Sequence, residues 1–425
     1  SQKAVVRVNG REVGRHDGAF TSFCFEITDA LGAASNRLEV VVDNTYDPEC
    51  LPVNADYTMY GGLYRSVRLL DCPTSCIDPR VPVRLDADCA TGTAVARYVL
   101  STPTGAVVKV QTRAYPGFAR WSPENPRLYS FDLVEGVDRL SVPFGFRTAE
   151  FRDGHFYLND ERLFLKGVNR HQDKAGKGWA LSPEDEEEDV RLMKEMGCNV
   201  VRTSHYPQSR HFLDLCDRLG LIVWSEMPLV DLVTPTETFR SNLLSVVDEA
   251  VGERYSHPSI CLWSVFNELY NFKTPPMPDG TAEPFVQEAT DLVRRLDRSR
   301  PTVCGSNQRT RKSINVITDE FAINLYPGWY GRQDPYGGMV EQLQEVFGVH
   351  GKTFAVSEYG GGACVEQHDD PARRPPSAGG RWHPEEYQAY LHWGNYKAIC
   401  ESPYVWGAFV WCMFDFAADC RQEGF

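Results

Sequence analysis

Two glutamates end predicted strands in the second half of the chain, and both could take part in acid–base chemistry. The run LWSVFNE ends in Glu268, and the run TFAVSEYGG carries Glu358. Apolar strands of this kind are buried on both faces in parallel sheets, so a terminal carboxylate lies at the strand mouth. A lone strand-ending glutamate is more often a solvated loop residue. Two carboxyl groups across one cleft, one protonated and one ionised, would fit hydrolysis of a glycosidic bond.

The residue before Glu268 is also polar. Neighbouring side chains on a strand point to opposite faces unless the strand ends in a bulge. The pair Asn267-Glu268 therefore predicts a distorted backbone that turns both side chains toward one cleft.

Other polar and aromatic residues stand at the ends of predicted strands. Each has a structural alternative: His205 could hold a loop, Trp411 could pack in a barrel core, and Glu226 could be a buried ion-pair partner of Arg202. As a set they would supply an aromatic plate for a sugar ring and amides for its hydroxyls. The further strand-end candidates are Asn169, Arg170, His171, Asn324, Tyr326 and Asp415.

From about residue 148 onward, short apolar runs alternate with amphipathic segments. Eight strand–helix units over about 275 residues match the size and rhythm of a (β/α)8 TIM barrel. The first helix is marked by Ser182-Pro183 followed by acidic residues, a strong helix-start signature. A doubly wound sheet is the alternative, but the sequence contains no Gly-rich phosphate turn. We predict a TIM barrel over residues 148–425, with its last helix missing.

The residues before the barrel are predicted to be β structure. AVVRVNG (4–10), RLEVVVDN (37–44) and GGLYRSVRLL (61–70) are candidate strands bounded by turn residues, and residues 73–147 also alternate without helical periods. We therefore predict two β domains, residues 1–72 and 73–147, ahead of the barrel.

Composition and charge exclude several classes of function. A net charge of −14 argues against nucleic acid and anionic membrane partners. The longest apolar stretch, residues 404–414, is too short to span a bilayer. Thirteen cysteines without CxxC spacing favour a reducing cytoplasmic location over a disulfide framework or a zinc site. A leader outside the given sequence stays an open alternative.

Five segments in this order, GVNRHQD, RTSHYP, WSVFNE, SEYG and FVWCMFDF, resemble the β-galactosidase/β-glucuronidase family, the second family of glycoside hydrolases. DYTMYGGLYRSV and PFGFRTAEF resemble it as well. The resemblance implies a jelly-roll sugar-binding-like domain that lacks its N-terminal part, an immunoglobulin-like β-sandwich and a catalytic barrel.

The resemblance also implies roles for particular residues. Glu268 matches the general acid/base, Glu358 the nucleophile, and Asn267 a ligand of the sugar 2-hydroxyl. Such acids are expected about 5 Å apart, which predicts retention of anomeric configuration through a covalent glycosyl-enzyme. The matched sugar-binding positions are Asp56, His171, His205, Asn324, Tyr326, Tyr330 and Trp411, with Tyr326 also holding the nucleophile ionised and with Arg202 and Glu226 in support.

The substrate implied first is a terminal β-galactoside, because GVNRHQD and FVWCMFDFAAD resemble compact bacterial β-galactosidases. A β-glucuronidase is the alternative, although Arg170 and Arg202 are the only obvious cations for a sugar carboxylate. A non-catalytic carbohydrate-binding protein is the alternative from another class. Glu226 precedes Met227-Pro228 rather than metal ligands, so we expect neither a catalytic metal nor a cofactor. We expect a carbohydrate substrate and a homo-oligomer.

Overall fold

The computed structural model describes residues 1–271, 276–331, 333–370, 377–419 and 421. Its N-terminal part holds an antiparallel sheet in the order β2-β1-β3. These strands are β1 (Lys3–Val8), β2 (Arg11–Asp17) and β3 (Leu38–Asp43). β1 alternates between partly buried and buried residues, as a strand with one face on a core must.

The predicted strand at residues 61–70 is wrong, since this fully described segment is irregular. Side chains rather than a backbone ladder hold it in place. Arg65 donates to the Phe20 carbonyl at 2.7 Å and to Gln172 at 2.8 Å, and Tyr64 donates to the Ala19 carbonyl at 2.6 Å. The apolar residues in the second half of the segment, Val67, Leu69 and Leu70, are exposed and form no buried strand face.

Three small sheets follow before the barrel. β6 pairs with β4, β5 and β7, β8 pairs with β9, and β10-β11-β12 form a third sheet. The assignment of residues 1–72 to a jelly roll and of residues 73–147 to an immunoglobulin-like sandwich stays a prediction. The strands are β4 (Cys76–Ile77), β5 (Arg84–Asp88), β6 (Thr93–Thr102), β7 (Gly105–Ala114), β8 (Tyr129–Glu135), β9 (Asp138–Phe144), β10 (Ala149–Arg152), β11 (His155–Leu158) and β12 (Glu161–Arg162).

The rest of the chain forms a closed barrel of eight parallel strands, as predicted. The last strand pairs with the first, which excludes an open doubly wound sheet. The elements in chain order are β13 (Leu165–Asn169), α1 (Pro183–Glu195), β14 (Val200–Arg202), α2 (Arg210–Leu219), β15 (Ile222–Glu226), α3 (Glu237–Arg254), β16 (Ile260–Asn267), α4 (Glu283–Leu296), β17 (Thr302–Ser306), α5 (Lys312–Asn315), β18 (Ala322–Asn324), α6 (Pro335–His350), β19 (Phe354–Tyr359), α7 (Glu385–Glu401) and β20 (Val405–Val410).

The predicted start of α1 is confirmed in detail. The Ser182 side chain accepts from the backbone of Asp185, and the Asp185 carboxylate accepts from the Ser182 backbone, which forms a capping box. This satisfies two backbone donors that the first turn would otherwise leave unpaired. The helix therefore begins where the sequence signature places it.

An aromatic plug fills the barrel below the strand mouths. Trp224 stacks on Trp406 with ring centroids 5.9 Å apart and meets Phe409 edge-on at 5.0 Å. All three side chains are buried. Polar groups above this plug therefore lie on a buried apolar floor, where electrostatic interactions are stronger than in solvent.

Two general expectations can be compared with the described residues. Eleven cysteines among them, those other than Cys364, are free. No helix in the described part of the chain is long and apolar enough to cross a membrane.

Candidate active site

A cavity of about 480 Å³ opens where the barrel strands end. This volume is typical of a small-molecule site. It brings together residues that are distant in sequence, from the N-terminal part and from several barrel strands. The predicted residues that line it are Asp56, His205, Asn267, Glu268, Asn324, Tyr326, Tyr330, Glu358 and Trp411.

The end of β16 is distorted, as the Asn267-Glu268 pair predicts. Its pairing with β17 shifts register between Ser264 and Asn267. Glu268 then takes a left-handed backbone conformation with φ of 47°, which is unusual for a residue with a side chain. Both polar side chains consequently reach the same cavity.

Arg202 lies beneath the cavity and joins four strand ends. Its Nη1 donates to Glu358 at 2.7 Å and to Asn169 at 2.8 Å, and its Nη2 donates to Glu226 and to Asn267, both at 2.7 Å. The side chain is fully buried. Five N–H donors in a fixed fork allow one arginine to set the positions of several acceptors at once.

A glycine on β17 makes room for this arginine. A Cβ atom on Gly305 would lie 2.5 Å from Arg202 Nη2 and 3.0 Å from the amide oxygen of Asn267. Real Cβ atoms do not approach other atoms so closely, so any side chain here would displace the guanidinium or the amide.

Glu226 is the second buried acceptor of Arg202, as one reading of the sequence suggests. Its other oxygen lies 3.2 Å from His205 Nδ1. Burial alone would raise the pKa of Glu226, but the charges of Arg202 and His205 outweigh burial and lower it. Glu226 therefore balances the arginine charge and orients the His205 ring without reaching the cavity.

Glu358 has hydrogen-bond donors at both carboxylate oxygens. Arg202 donates to Oε1, and the Tyr326 hydroxyl donates to Oε2 at 2.7 Å. Burial, followed by the charge of Glu358, raises the pKa of Tyr326 well above its usual value, so its hydroxyl keeps its proton and remains a donor. An ionised carboxylate, which only accepts, suits these surroundings.

Glu268 has the opposite environment. Among the described residues, its oxygens accept from side-chain amides alone, Asn324 Nδ2 at 2.8 Å and Asn271 Nδ2 at 3.3 Å. Burial, with a further contribution from the charge of Glu358, raises its pKa to about 8. The carboxyl group is therefore protonated at neutral pH. Asn324 also links the two acids, since its backbone pairs with Glu358 across β18 and β19.

The aromatic wall of the cavity is formed by His205 and Trp411, which stack with centroids 5.1 Å apart and an interplanar angle of 14°. His171, predicted to line the sugar pocket, is not among the cavity-lining residues. It lies behind this wall, 2% exposed, stacked on Phe416 at 4.1 Å and bonded to the Tyr206 hydroxyl at 3.1 Å. Its position two residues past the end of β13 turns the ring into the packed layer.

Several cavity residues escaped the sequence reasoning. Asn307 and Arg309 follow the fifth strand and would have been found if the search of strand ends had included it. The other missed residues lie farther past the strands, where no sequence pattern marks them. Arg309 and Arg421 bring positive charge, and Arg421 forms an ion pair with Asp56 and approaches the Tyr330 hydroxyl at 3.3 Å. The missed lining residues are Val230, Asp231, Asn271, Asn307, Arg309, Gly331, Gln333, Gln342 and Arg421.

The predicted candidate cation Arg170 lies outside the cavity. Its guanidinium is fully buried and donates twice to Asp189 Oδ2, at 2.9 and 2.6 Å. It ties the end of β13 to helix α1.

A metal ion has an evident ligand set only away from the cavity. Within the described residues, the group close enough to share an ion is Asp214, Asp217 and His257, and His257 Nδ1 there already bonds Asp217 at 2.6 Å. In the cavity region, both oxygens of Glu226 are taken by Arg202 and His205. The donor set around Glu226 thus fits an ion-pair network rather than a metal.

Comparison with known proteins agrees with this geometry. Residues 149–422 match the model of the family described as glycosyl hydrolases family 2, TIM barrel domain. The chain belongs to glycoside hydrolase family 2.

Individual family 2 relatives cover almost the whole chain. A β-glucuronidase from Bacteroides fragilis is 34% identical and aligns with 99% of the chain and 67% of its own length. A β-galactosidase from Thermoanaerobacterium thermosulfurigenes is 28% identical over 97% of the chain and 60% of its own length. The crystal structure of a family 2 β-galacturonidase from Eisenbergiella tayi, bound to galacturonate, superposes with a TM-score of 0.86 at 25% identity, covering 99% of the chain and 80% of that protein. The chain thus spans about two thirds of these curated relatives.

Proposed function

We propose that this chain carries the active site of a retaining exo-β-glycosidase that acts on terminal β-glucuronides. The observation that supports it most is the pair of carboxyl groups in one cavity with opposite surroundings. Glu358 is held by a guanidinium and a hydroxyl, whereas Glu268 is held only by amides and has a pKa near 8. Such a division is what separates a nucleophile from a proton donor.

Glu268 is proposed as the general acid and base. Protonated at neutral pH, it would donate its proton to the glycosidic oxygen as the bond to the anomeric carbon breaks. The resulting carboxylate would then remove a proton from the water that attacks the glycosyl-enzyme. The amide donors from Asn324 and Asn271 tolerate both forms, since each form retains acceptor lone pairs.

Glu358 is proposed as the nucleophile. Its carboxylate would attack the anomeric carbon and form a covalent glycosyl-enzyme, and water would release the sugar with net retention. Arg202 and Tyr326 donate to the two oxygens and orient the carboxylate. The expected spacing of about 5 Å between the two acids stays a prediction.

The other cavity residues are proposed to bind the sugar. Trp411 and His205 offer an aromatic wall for the ring, and the Asn267 amide, already oriented by Arg202, would donate to the 2-hydroxyl. Asp56 and Tyr330 would contact hydroxyls on the far side of the ring. Asp56 belongs to the N-terminal part, so that part would complete the binding site.

Two observations favour a glucuronide over the galactoside predicted first. Arg309 and Arg421 line the cavity, and a guanidinium is the side chain best suited to bind a carboxylate. The Bacteroides fragilis relative, at 34% identity, is a β-glucuronidase, whereas the Thermoanaerobacterium β-galactosidase is 28% identical. The galactoside remains the second candidate, favoured by the resemblance of GVNRHQD and FVWCMFDFAAD to compact β-galactosidases.

The substrate is tested with p-nitrophenyl β-glycosides of glucuronate, galactose, glucose, mannose and galacturonate, assayed at equal concentrations. We expect kcat/KM to be highest for the glucuronide. A galactoside preference would overturn the substrate proposal and leave the mechanism in place.

The mechanism is tested by covalent labelling. A 2-deoxy-2-fluoro glycosyl fluoride of the preferred sugar should add one sugar mass to the peptide that carries Glu358. The same reagent should leave the Glu358→Gln variant unlabelled. Labelling at another residue would overturn the nucleophile assignment, and the absence of both labelling and hydrolysis with every sugar would favour a carbohydrate-binding protein.

A further inference from the structure

Asn271 lies between Glu268 and a second acid, Asp231. Its Nδ2 is 2.9 Å from Asp231 Oδ1 and 3.3 Å from Glu268 Oε2. Asp231 is 4% exposed, and both Asp231 and Asn271 line the cavity. One amide group thus joins two carboxyl groups.

Asp231 settles which way the Asn271 amide faces. An ionised aspartate only accepts hydrogen bonds, so the amide nitrogen rather than the amide oxygen must point to it. The second hydrogen of the same nitrogen is then directed at Glu268.

The backbone keeps Asp231 at a fixed distance from the acid. The loop after β15 and the end of β16 exchange three bonds: Asn267 N to Leu229 O at 2.9 Å, Asp231 N to Asn267 O at 3.1 Å and Tyr270 N to Asp231 O at 3.1 Å. Asp231, Glu268 and Tyr270 all have positive φ, which is an unfavourable backbone conformation for residues with side chains. The three backbone bonds stabilise the two turns in this conformation.

The N-terminal part of the chain holds the other oxygen of Asp231. Asn54 Nδ2 donates to Asp231 Oδ2 at 3.1 Å. Asn54 is two residues before Asp56, which lines the same cavity. Asp231 is therefore fixed from both sides, by Asn54 from the N-terminal part and by Asn271 from the barrel.

We propose that Asp231 and Asn271 are positioning residues for Glu268: Asp231 fixes the Asn271 amide with its N–H toward Oε2, and its negative charge helps to retain the proton on Glu268. This inference rests on the proposed role of Glu268 as general acid and base. The two side chains act through Glu268 and need no contact with the sugar.

Other charges act on Glu268 from the elements around it. Burial is the main cause of its raised pKa, followed by the charge of Glu358 on β19, and then Asp231 and Asp56 act in the same direction. The cations Arg309 and Arg421 line the same cavity, as does His205. Of these acids, Asp231 is the one joined to Glu268 through a single amide, and Asp231→Asn removes its charge while keeping an oxygen that can accept from Asn271.

The test measures the titration of Glu268 directly, by 13C NMR of carboxyl-labelled glutamate in the parent and in Asp231→Asn, with Glu268→Gln assigning the signal. The midpoint should fall by about one pH unit, the lower end of the effect of a nearby charge. Glu320→Gln serves as the control, because Glu320 is a buried acid that pairs with Lys352 at 3.1 Å at the other end of the barrel. An unchanged Glu268 midpoint in Asp231→Asn would overturn the proposal.

Kinetics supplies a second readout that a purely structural role would not move. In Asn271→Ala and Asp231→Asn, kcat/KM should fall about tenfold or more for an alkyl glycoside, which needs acid assistance, and stay within about threefold for a 2,4-dinitrophenyl glycoside. Equal losses on both substrates would overturn the positioning role. If the parent protein hydrolyses no glycoside, the proposed function fails instead, and the NMR midpoint still decides the effect of Asp231 on Glu268.

Discussion

Tyr326, two residues past the end of β18, donates a hydrogen bond of 2.7 Å to Oε2 of Glu358 on the neighbouring strand β19. Arg202 donates to the opposite oxygen of the same carboxylate. This leaves the carboxylate one orientation, with Glu358 facing the cavity. A nucleophile held in this way loses little freedom when it attacks, which lowers the entropic part of the barrier.

Replacing Tyr326 with phenylalanine should lower kcat/KM by roughly 10- to 150-fold. A hydrogen bond to a charged group is worth about 1.5–3 kcal/mol, and each 1.4 kcal/mol corresponds to a factor of ten. Tyr387→Phe is the matched control, because Tyr387 donates to the Gly328 carbonyl at 2.7 Å and does not line the cavity. Equal losses in the two variants would show that the hydroxyl of Tyr326 has no special role.

The pH dependence of kcat/KM should show a basic limb near pH 8. The pKa of Glu268 is raised to about 8, mainly by burial, so the group is protonated below that pH and loses its proton above it. Acid catalysis therefore fails as the pH rises through 8. The measurement is kcat/KM from pH 5 to 10 on an alkyl or weakly activated glycoside, and a basic limb below pH 6 would contradict the assignment.

The same shift makes a prediction about stability. Because the pKa of Glu268 is higher in the folded state than in the unfolded chain, the folded state binds more protons, and its stability falls as the pH rises from about 4.5 to 8. Glu268→Gln removes this dependence. The free energy of unfolding of the variant, measured in urea, should equal that of the parent at pH 4 and exceed it by about 1–3 kcal/mol at pH 9. This range is smaller than the value from 1.4 kcal/mol per pKa unit, because the cavity admits water. A parent with pH-independent stability relative to the variant would contradict the shift.

Much of the fold was predictable because local signals agreed with one another. The alternation of apolar strands with capped helices gave the barrel, and Ser182-Pro183 located the start of α1. The segment at residues 61–70 misled because its alternating pattern corresponds to no buried face, since Val67, Leu69 and Leu70 are exposed. Its contacts, such as Arg65 with Gln172, span distances in the sequence that no local pattern reveals.

The site was predictable where strands end and unpredictable beyond that. Glu268 and Glu358 follow apolar runs directly, so the end of the strand determines their place. Asp231 and Arg421 lie several residues past their strands, and their positions depend on how the loops fold back. His171 is the converse case, since its strand-end position did not bring it into the cavity lining.

Replacing Arg202 with methionine should destabilise the protein by about 3–5 kcal/mol, since it leaves Glu226 and Glu358 buried without their cation. The measurement is urea denaturation at pH 7. The double variant Arg202→Met/Glu226→Gln removes one of the two buried charges that Arg202→Met leaves unpaired. It should therefore recover part of the lost stability. If the double variant is no more stable than the single one, uncompensated charge is not the cause.

Charge at the cavity rim should decide between sugars. Arg421 is paired with Asp56 and lies near the Tyr330 hydroxyl, in a position where a sugar carboxylate could replace or share the aspartate. Arg421→Met should therefore raise KM for an aryl β-glucuronide by about tenfold or more, the size of a charge-assisted hydrogen bond, and change KM for the matching galactoside much less. Arg309→Gln is the matched control, because Arg309 lines the same cavity but pairs with Glu345 at 3.3 Å. If KM for the glucuronide rises more in Arg309→Gln than in Arg421→Met, the carboxylate of the sugar binds near the end of the fifth strand instead. If Arg421→Met raises KM equally for both sugars, Arg421 acts by holding Asp56.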